Sequence, residues 1–250
     1  MTANDGRRLE LNRARDLTAL FSDSLTLLRS RLGVFLALSA VVVVPVHLIV
    51  SGIGLGQLTG KYDASPSLAE SLIPVAVSYL VVAPLINAIC IKVLQSIANG
   101  DDPSPGRSIV EGFEAFRPLF FSVLLAAVGI TLGLFLFIVP GIYIAVRWFF
   151  VPQAVVIEGA TGPAALAQSM RLTEGFWWRT FGIVLVANLA AAVPGLLLTL
   201  PAEALGKQSG EAFWSLGGTI LTELITTPFV ALIATLLYYD LRARRAGAAL

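Results

Sequence analysis

Five polar side chains interrupt the long apolar stretches of this chain: His47, Asn87, Arg147, Asn188 and Glu223. Residues of these types in apolar surroundings can pair as ions, relay a proton or hold a small polar ligand. Metal-assisted hydrolysis or nucleophilic catalysis would need several His, Cys, Asp or Glu side chains converging on one point. With one histidine and one cysteine, Cys90, in the whole chain, no His-x-x-His, Cys-x-x-Cys or Ser–His–Asp set can be assembled. No catalytic residue, cofactor or metal site is therefore expected, and the reading is of a protein that is not an enzyme. A lone histidine in an apolar helix is more often a packed, hydrogen-bonded residue than a ligand or relay.

A charge near the centre of a bilayer costs ~2.5–3.5 kcal/mol even on lenient scales, so Arg147 and Glu223 need partners or water. Each is the only charge of its sign at membrane depth, which predicts an ion pair between them, with Asn188 nearby. The competing expectation is a polar cavity for an ion or a substrate head group, formed by Asn87, Arg147, Asn188 and Glu223. Two other features carry less. Gly52-Ile53-Gly54-Leu55-Gly56 has glycines at phosphate-loop spacing, but it follows a membrane helix and opens none. Asp101 and Asp102, in Asn-Gly-Asp-Asp-Pro-Ser-Pro-Gly, read as a turn, without the length of a calcium loop. Gly52/Gly56 and Gly129/Gly133 have the small-x-x-x-small spacing that lets helices approach closely.

The elements that must position these residues are membrane helices. Of 250 residues 56% are hydrophobic and 13% charged, about half the charge a soluble domain carries. Mean hydropathy is +0.83, and the apolar residues come in unbroken blocks. A net charge of +1 excludes a nucleic-acid-binding signature, and a single cysteine excludes an intrachain disulfide. A hydrocarbon core of ~30 Å takes about 20 helical residues. Six blocks qualify or nearly so: Gly33–Leu55, Leu72–Ala98, Pro118–Val139, Gly141–Ile157, Trp177–Leu200 and Phe213–Tyr239. Pro140-Gly141 is expected to break the helix between the third and fourth.

The expected fold is an all-α polytopic bundle of six transmembrane helices. Residues 1–32 form a cytoplasmic segment with an amphipathic interfacial helix, 33–241 the transmembrane domain and 242–250 a cytoplasmic tail. The polar stretch before Gly33 holds six arginines and lacks a small-residue cleavage site, so the N-terminus is expected to be retained. With both termini in the cytoplasm, 14 of the 17 basic residues face that side. Only Lys61 and Lys207 lie outside, and the positive-inside rule favours this orientation. Trp177, Trp178, Tyr238 and Tyr239 fall at the inner boundary and Trp214 at the outer one.

Three shorter segments with helical apolar spacing precede the first, third and fifth spans: one from Leu17 to Leu32, one through Ile109, Phe113 and Phe120, and one from Pro163 that stops at Gly175. They are expected in the cytoplasmic interface. Interfacial helix, odd span and even span thus repeat three times. Prolines 45, 140 and 194 lie near the outer ends of the odd spans, and prolines 84, 152 and 228 lie inside the even ones.

Several stretches resemble a known bacterial family. They are Ile138-Val139-Pro140-Gly141-Ile142-Tyr143, Arg147, Pro152, Val156-Ile157-Glu158-Gly159, Ala165, Ser169, Leu172, Gly175-Phe176-Trp177-Trp178-Arg179 and Leu237-Tyr238-Tyr239-Asp240-Leu241-Arg242. Together they are similar to the membrane domain of some glycerophosphoryl diester phosphodiesterases and its stand-alone, YciC-like relatives. The resemblance implies a six-helix domain of the bacterial inner membrane. It does not imply diesterase activity, which belongs to a separate soluble domain absent here. Two functions follow as expectations. The first is an interaction or scaffold subunit that docks a protein partner at its cytoplasmic face through Glu158, Ser169 and Arg171. The second is a small transporter or lipid-binding protein using the intramembrane polar residues. The remaining partner is the lipid bilayer.

Overall fold

The computed structural model describes residues 11–101 and 104–248. Arg7 and Arg8 of the basic count, Asp102 of the acidic turn and the last residues of the tail lie outside it. The described chain is helical, with one isolated antiparallel bridge between Lys61 and Glu211. Six helices are long and apolar enough to cross a membrane, which defines a multi-pass membrane protein.

The helices run in chain order α1 (Leu17–Ser30), α2 (Leu32–His47), α3 (Leu68–Val77), α4 (Ala83–Ala98), α5 (Pro105–Glu114), α6 (Phe116–Leu136), α7 (Ile138–Arg147), α8 (Val151–Glu158), α9 (Pro163–Thr173), α10 (Trp177–Ser209) and α11 (Phe213–Ala248). Local chemistry sets several of the boundaries. The Asp16 carboxylate caps α1 by accepting from the Ala19 N–H at 2.8 Å. Ser67 and Glu70 close a reciprocal capping box on α3. Two stretches wind as π-helix, Leu48–Gly54 after α2 and Ser78–Val82 between α3 and α4. Each adjoins a proline, Pro45 or Pro84, whose missing N–H and ring displace the regular α ladder.

The core is built by α2, α4 and α11. Phe35, Leu38, Val42 and Val43 pack on Leu85, Ile86, Ile89 and Val93, with Ala231 and Leu232 closing the third side. α4 and α11 run parallel, held at one level by Ser78 on Glu223 and lower down by Gln95 on Tyr239. α10 runs antiparallel to α11, with the Thr222 hydroxyl reaching the Gly195 carbonyl.

The two ends of the bundle differ. At one end, Asp240 of α11 is fully buried, and its carboxylate gathers the Arg15 backbone N–H at 2.6 Å, Arg179 at 3.0 Å and Arg244 at 2.9 Å. The chain on both sides of the bundle therefore meets at this end, which we call the terminal end. Burial pulls the Arg15 guanidinium below its ordinary pKa, with the hydrogen bond to Asp23 opposing that shift. At the far end, the loops after α2 and α10 are stitched by Tyr62 N–H to the Gly210 carbonyl (2.9 Å) and Ala212 N–H to the Gly60 carbonyl (3.0 Å).

Three boundaries differ from expectation. The break between the third and fourth blocks falls at Phe137, extended at φ −156° and ψ 136°, and not at Pro140-Gly141. Pro140 sits in the first turn of α7, where a missing N–H costs nothing. The fourth block is not one helix: α7 ends at Arg147 and α8 begins at Val151. The Ser169 hydroxyl splices this gap, donating to the Arg147 carbonyl at 2.7 Å and accepting from the Phe150 N–H at 3.1 Å. The fifth block continues past Pro194 and Pro201 as one helix to Ser209.

Candidate functional site

Where α2 ends and the chain leads into α4, one carboxylate is held by two other helices. Glu223 of α11 accepts from His47 Nε2 at 3.0 Å on one oxygen and from the Ser78 hydroxyl at 2.5 Å on the other. Glu223 is ten residues into α11 and Ser78 ten residues into the α3 span. At ~1.5 Å per residue, each therefore lies about 15 Å from the far end of its helix, within the membrane-spanning stretch and nearer the far end than the terminal end. His47 is 0% exposed, while the Glu223 side chain retains 16%. His47 immediately precedes one π-helical stretch and Ser78 opens the other. Single π turns of this kind recur at functional sites, because the wider winding re-aims side chains.

The site is incompletely satisfied. His47 Nδ1 is buried without a hydrogen-bond partner, and so is the hydroxyl of Ser51, four residues further along the same helix. An unpaired buried polar group costs about 1–3 kcal/mol, so His47 Nδ1 is suited to take up one more donor or acceptor. Chemically, the His–Glu couple can hold a proton on either member, or an ion pair when His47 is protonated. Among the described residues no cluster of three or more His, Cys, Asp or Glu could hold a metal ion.

The residues expected to share a site are dispersed. Glu223 does not pair with Arg147; its partners are His47 and Ser78. The Arg147 guanidinium instead lies over the Tyr143 ring, 5.8 Å from its centroid, with its Nε buried and unpaired. α7 delivers it to the terminal end, where the Trp177 indole donates to the Tyr143 carbonyl at 3.3 Å. Asn87 bonds to Gln153 at 3.2 Å and to the Ala83 carbonyl at 3.0 Å. Asn188 is exposed on the outside of α10 and bonds only to the Val184 carbonyl of its own helix, at 2.8 Å.

The docking trio separates too. Ser169 is fully buried and belongs to the helix splice, so it offers nothing to a partner. Glu158 accepts from the Tyr238 hydroxyl and from Gln168, and Arg171 donates to Gln168 at 2.7 Å. Glu158 and Arg171 do line one open cleft of about 500 Å³ at the terminal end, with Arg242 and Arg245. Residue counting pointed to Glu223 but missed Ser78. The usable signal was depth: Ser78 and Glu223 sit equally far from the far ends of their helices, whereas pairing by charge sign selected Arg147.

Fold and site together describe an all-helical multi-pass membrane protein with one acid–imidazole couple between its helices. Within that class the chain belongs to the family described as Domain of unknown function (DUF7847), whose profile matches residues 77–241. The match begins one residue before Ser78 and covers Glu223, but excludes His47. Neither the curated proteins nor the solved structures contain a match.

Proposed function

We propose that this is a small, non-enzymatic membrane transporter in which the His47–Glu223 couple, supported by Ser78, carries a proton or exchanges it for a small polar solute. The single observation behind this reading is a carboxylate inside the membrane-spanning helices, shared by three of them and hydrogen-bonded to a fully buried histidine that has one unpaired nitrogen. Ionisable groups at that depth are costly to keep and are characteristic of proton and ion pathways. Proline-linked π stretches in two of the three helices supply backbone that can rewind without leaving the bundle. The orientation that accompanies this reading puts the terminal end and both termini in the cytoplasm of a bacterial cell, by the asymmetry of Lys and Arg. The amphipathic helices α1, α5 and α9 then lie near the inner interface. The resemblance to the membrane domain of the diester phosphodiesterases fits a role without catalysis of its own.

The test is proton flux in proteoliposomes carrying an internal pH dye, under an imposed pH gradient and with candidate solutes added outside. The expected result is flux that Glu223→Gln and His47→Gln each abolish while both variants still elute as monodisperse protein. Flux unchanged in both variants would remove the couple from the pathway.

A second reading is favoured by the cleft at the terminal end. There three arginines, Arg171, Arg242 and Arg245, face one carboxylate, Glu158. A scaffold subunit would dock an acidic protein partner there. A photoreactive residue at position 171 that captures a protein, while one at Ser78 captures nothing, is the outcome that would favour this reading over transport.

A further inference from the structure

The third and fourth apolar blocks are long enough to cross a membrane, yet the contacts they make place their hairpin at the wrong level for crossing. α7 is fixed near the terminal end by independent contacts. Trp177 stacks on the Tyr143 ring at 5.8 Å and its indole holds the Tyr143 carbonyl at 3.3 Å. Just beyond α7, the Phe150 ring meets Tyr238 at 5.8 Å. Trp177 itself cannot lie deep. Two residues on, Arg179 binds Asp240 together with Arg244, and just before it the Leu172 and Glu174 carbonyls accept from Arg245. That density of charge belongs at or outside the hydrocarbon boundary.

The reach of the hairpin then follows. Ile138 is five residues from Tyr143, which at ~1.5 Å per residue is about 8 Å along the helix. Adding the extended indole and the hydrogen bond keeps the Phe137 turn within about 20 Å of the Trp177 backbone, whatever its direction. A hydrocarbon core is ~30 Å thick, so the turn stops inside it. α10, starting from the same tryptophan, runs 33 residues and reaches the far loops.

The hairpin's composition agrees. Phe135, Leu136, Phe137, Ile138 and Val139 are 65–89% exposed, and no polar residue lies among them. A turn emerging into water would place that whole tip in the wrong solvent. α6 is also the least covered of the six long helices, with 17% of its apolar window buried by the rest of the chain. Its two limbs are tightly closed on each other: a Cβ on Gly141 would meet the Leu134 backbone nitrogen at 2.6 Å, and one on Gly129 would meet the Trp148 ring at 2.4 Å.

We infer that α6 and α7 form a re-entrant hairpin that enters the bilayer from the terminal end and returns to it, with its apolar tip bedded in the acyl chains short of the opposite face. Four helical segments then cross: α2, α3–α4, α10 and α11. The parity of the chain is unchanged, so the basic residues keep their sides. Arg147, on the returning limb, reaches the head-group level without a carboxylate partner. The hairpin is an interaction surface for lipid acyl chains. It is independent of whether His47–Glu223 moves protons.

The experiment places single cysteines at Phe137, Val139 and Asp63 in a Cys90→Ser background, in proteoliposomes of both sidedness, with a membrane-impermeant maleimide. Side chains 137 and 139 face away from the protein, so the substitutions remove no packing. The expected result is labelling of Asp63→Cys from one side, and of Phe137→Cys and Val139→Cys from neither until detergent is added. Nitroxides at 137 and 139 should collide with oxygen in preference to a water-soluble nickel chelate. Labelling of either tip cysteine from the side that labels Asp63→Cys would mean that the hairpin crosses. Labelling from the opposite side would mean that it lies in water, and either result overturns the inference.

Discussion

Two carboxylates on α11 are treated in opposite ways. Asp240, at the terminal end, is fully buried and saturated: one backbone N–H and two arginines surround it, and the Arg15 carbonyl accepts from Arg244 at 2.7 Å to tie the cluster together. Glu223, seventeen residues earlier on the same helix, has one imidazole, one hydroxyl and an unpaired nitrogen beside it. The first arrangement fixes an N-terminal segment and α10 onto α11 with the acceptor sites of the carboxylate filled. The second is minimal, lies where water is scarce and leaves a polar atom open. Saturation marks a structural knot, whereas economy inside the membrane-spanning helices marks a place where a proton or ligand can change the bonding.

The largest effect should therefore come from the saturated site. Asp240→Ala leaves Arg179 and Arg244 without their anion, and breaking a buried pair typically costs about 3–5 kcal/mol. Thermal unfolding in detergent should show a drop of roughly 10 °C for a chain of this size. A loss of under about 2 °C would mean that the knot is not holding the terminal end together. Next in size is the splice between α7 and α8 in the fourth block. Ser169→Ala strands the Arg147 carbonyl and the Phe150 N–H, for about 1–3 kcal/mol, while Ser169→Thr keeps the hydroxyl and should recover part of the loss. Equal destabilisation by both variants would point to packing and not to the hydrogen bonds.

The economical site should show a smaller stability effect and strong coupling. Glu223→Gln preserves shape and at least one hydrogen bond, so about 1 kcal/mol is expected. In a double-mutant cycle with His47→Gln, the two changes should couple by about 0.5–3 kcal/mol, since each removes the other's partner. Additive losses would show that the 3.0 Å contact carries no energy and would weaken the contrast with Asp240.

The long helices were legible because length and continuous hydropathy are local properties, and the capping and turn residues that bound them are local too. Gly175 with φ +78° ends the segment that begins at Pro163, as its position suggested. The Phe137 break was not legible. Pro140-Gly141 looked like the breaker, but a proline in a first turn starts a helix more readily than it stops one. The π stretches at Leu48 and Ser78 left no sequence mark beyond nearby prolines. The Gly52/Gly56 spacing misled, because Gly56 lies past the helix in a turn with φ +68°. The site was half legible. Glu223 and His47 stood out as rare polar residues in apolar blocks, yet they lie 176 positions apart. Only the packing of the first span on the last brings them together.

The smallest expected effect concerns Arg147, and it decides why the sequence reading paired the wrong residues. Counted along the chain, Arg147 lies nine residues after Ile138, which would put it level with Glu223 if the fourth block crossed from the far end. Its surroundings say otherwise: Tyr143 below its guanidinium is bound to Trp177, and the Arg147 carbonyl is bound to Ser169 of α9. Two charges that sit in different layers and share no partner should contribute independently, to within about 0.5 kcal/mol. Arg147→Met combined with Glu223→Gln should thus lower the melting temperature by the sum of the single changes, with no recovery in the double variant. The same double variant, placed beside the His47–Glu223 cycle in one detergent, gives an internal standard: coupling in one pair and none in the other. Recovery of stability in the Arg147/Glu223 double variant would restore the direct ion pair and would require α7 to reach the middle of the bundle.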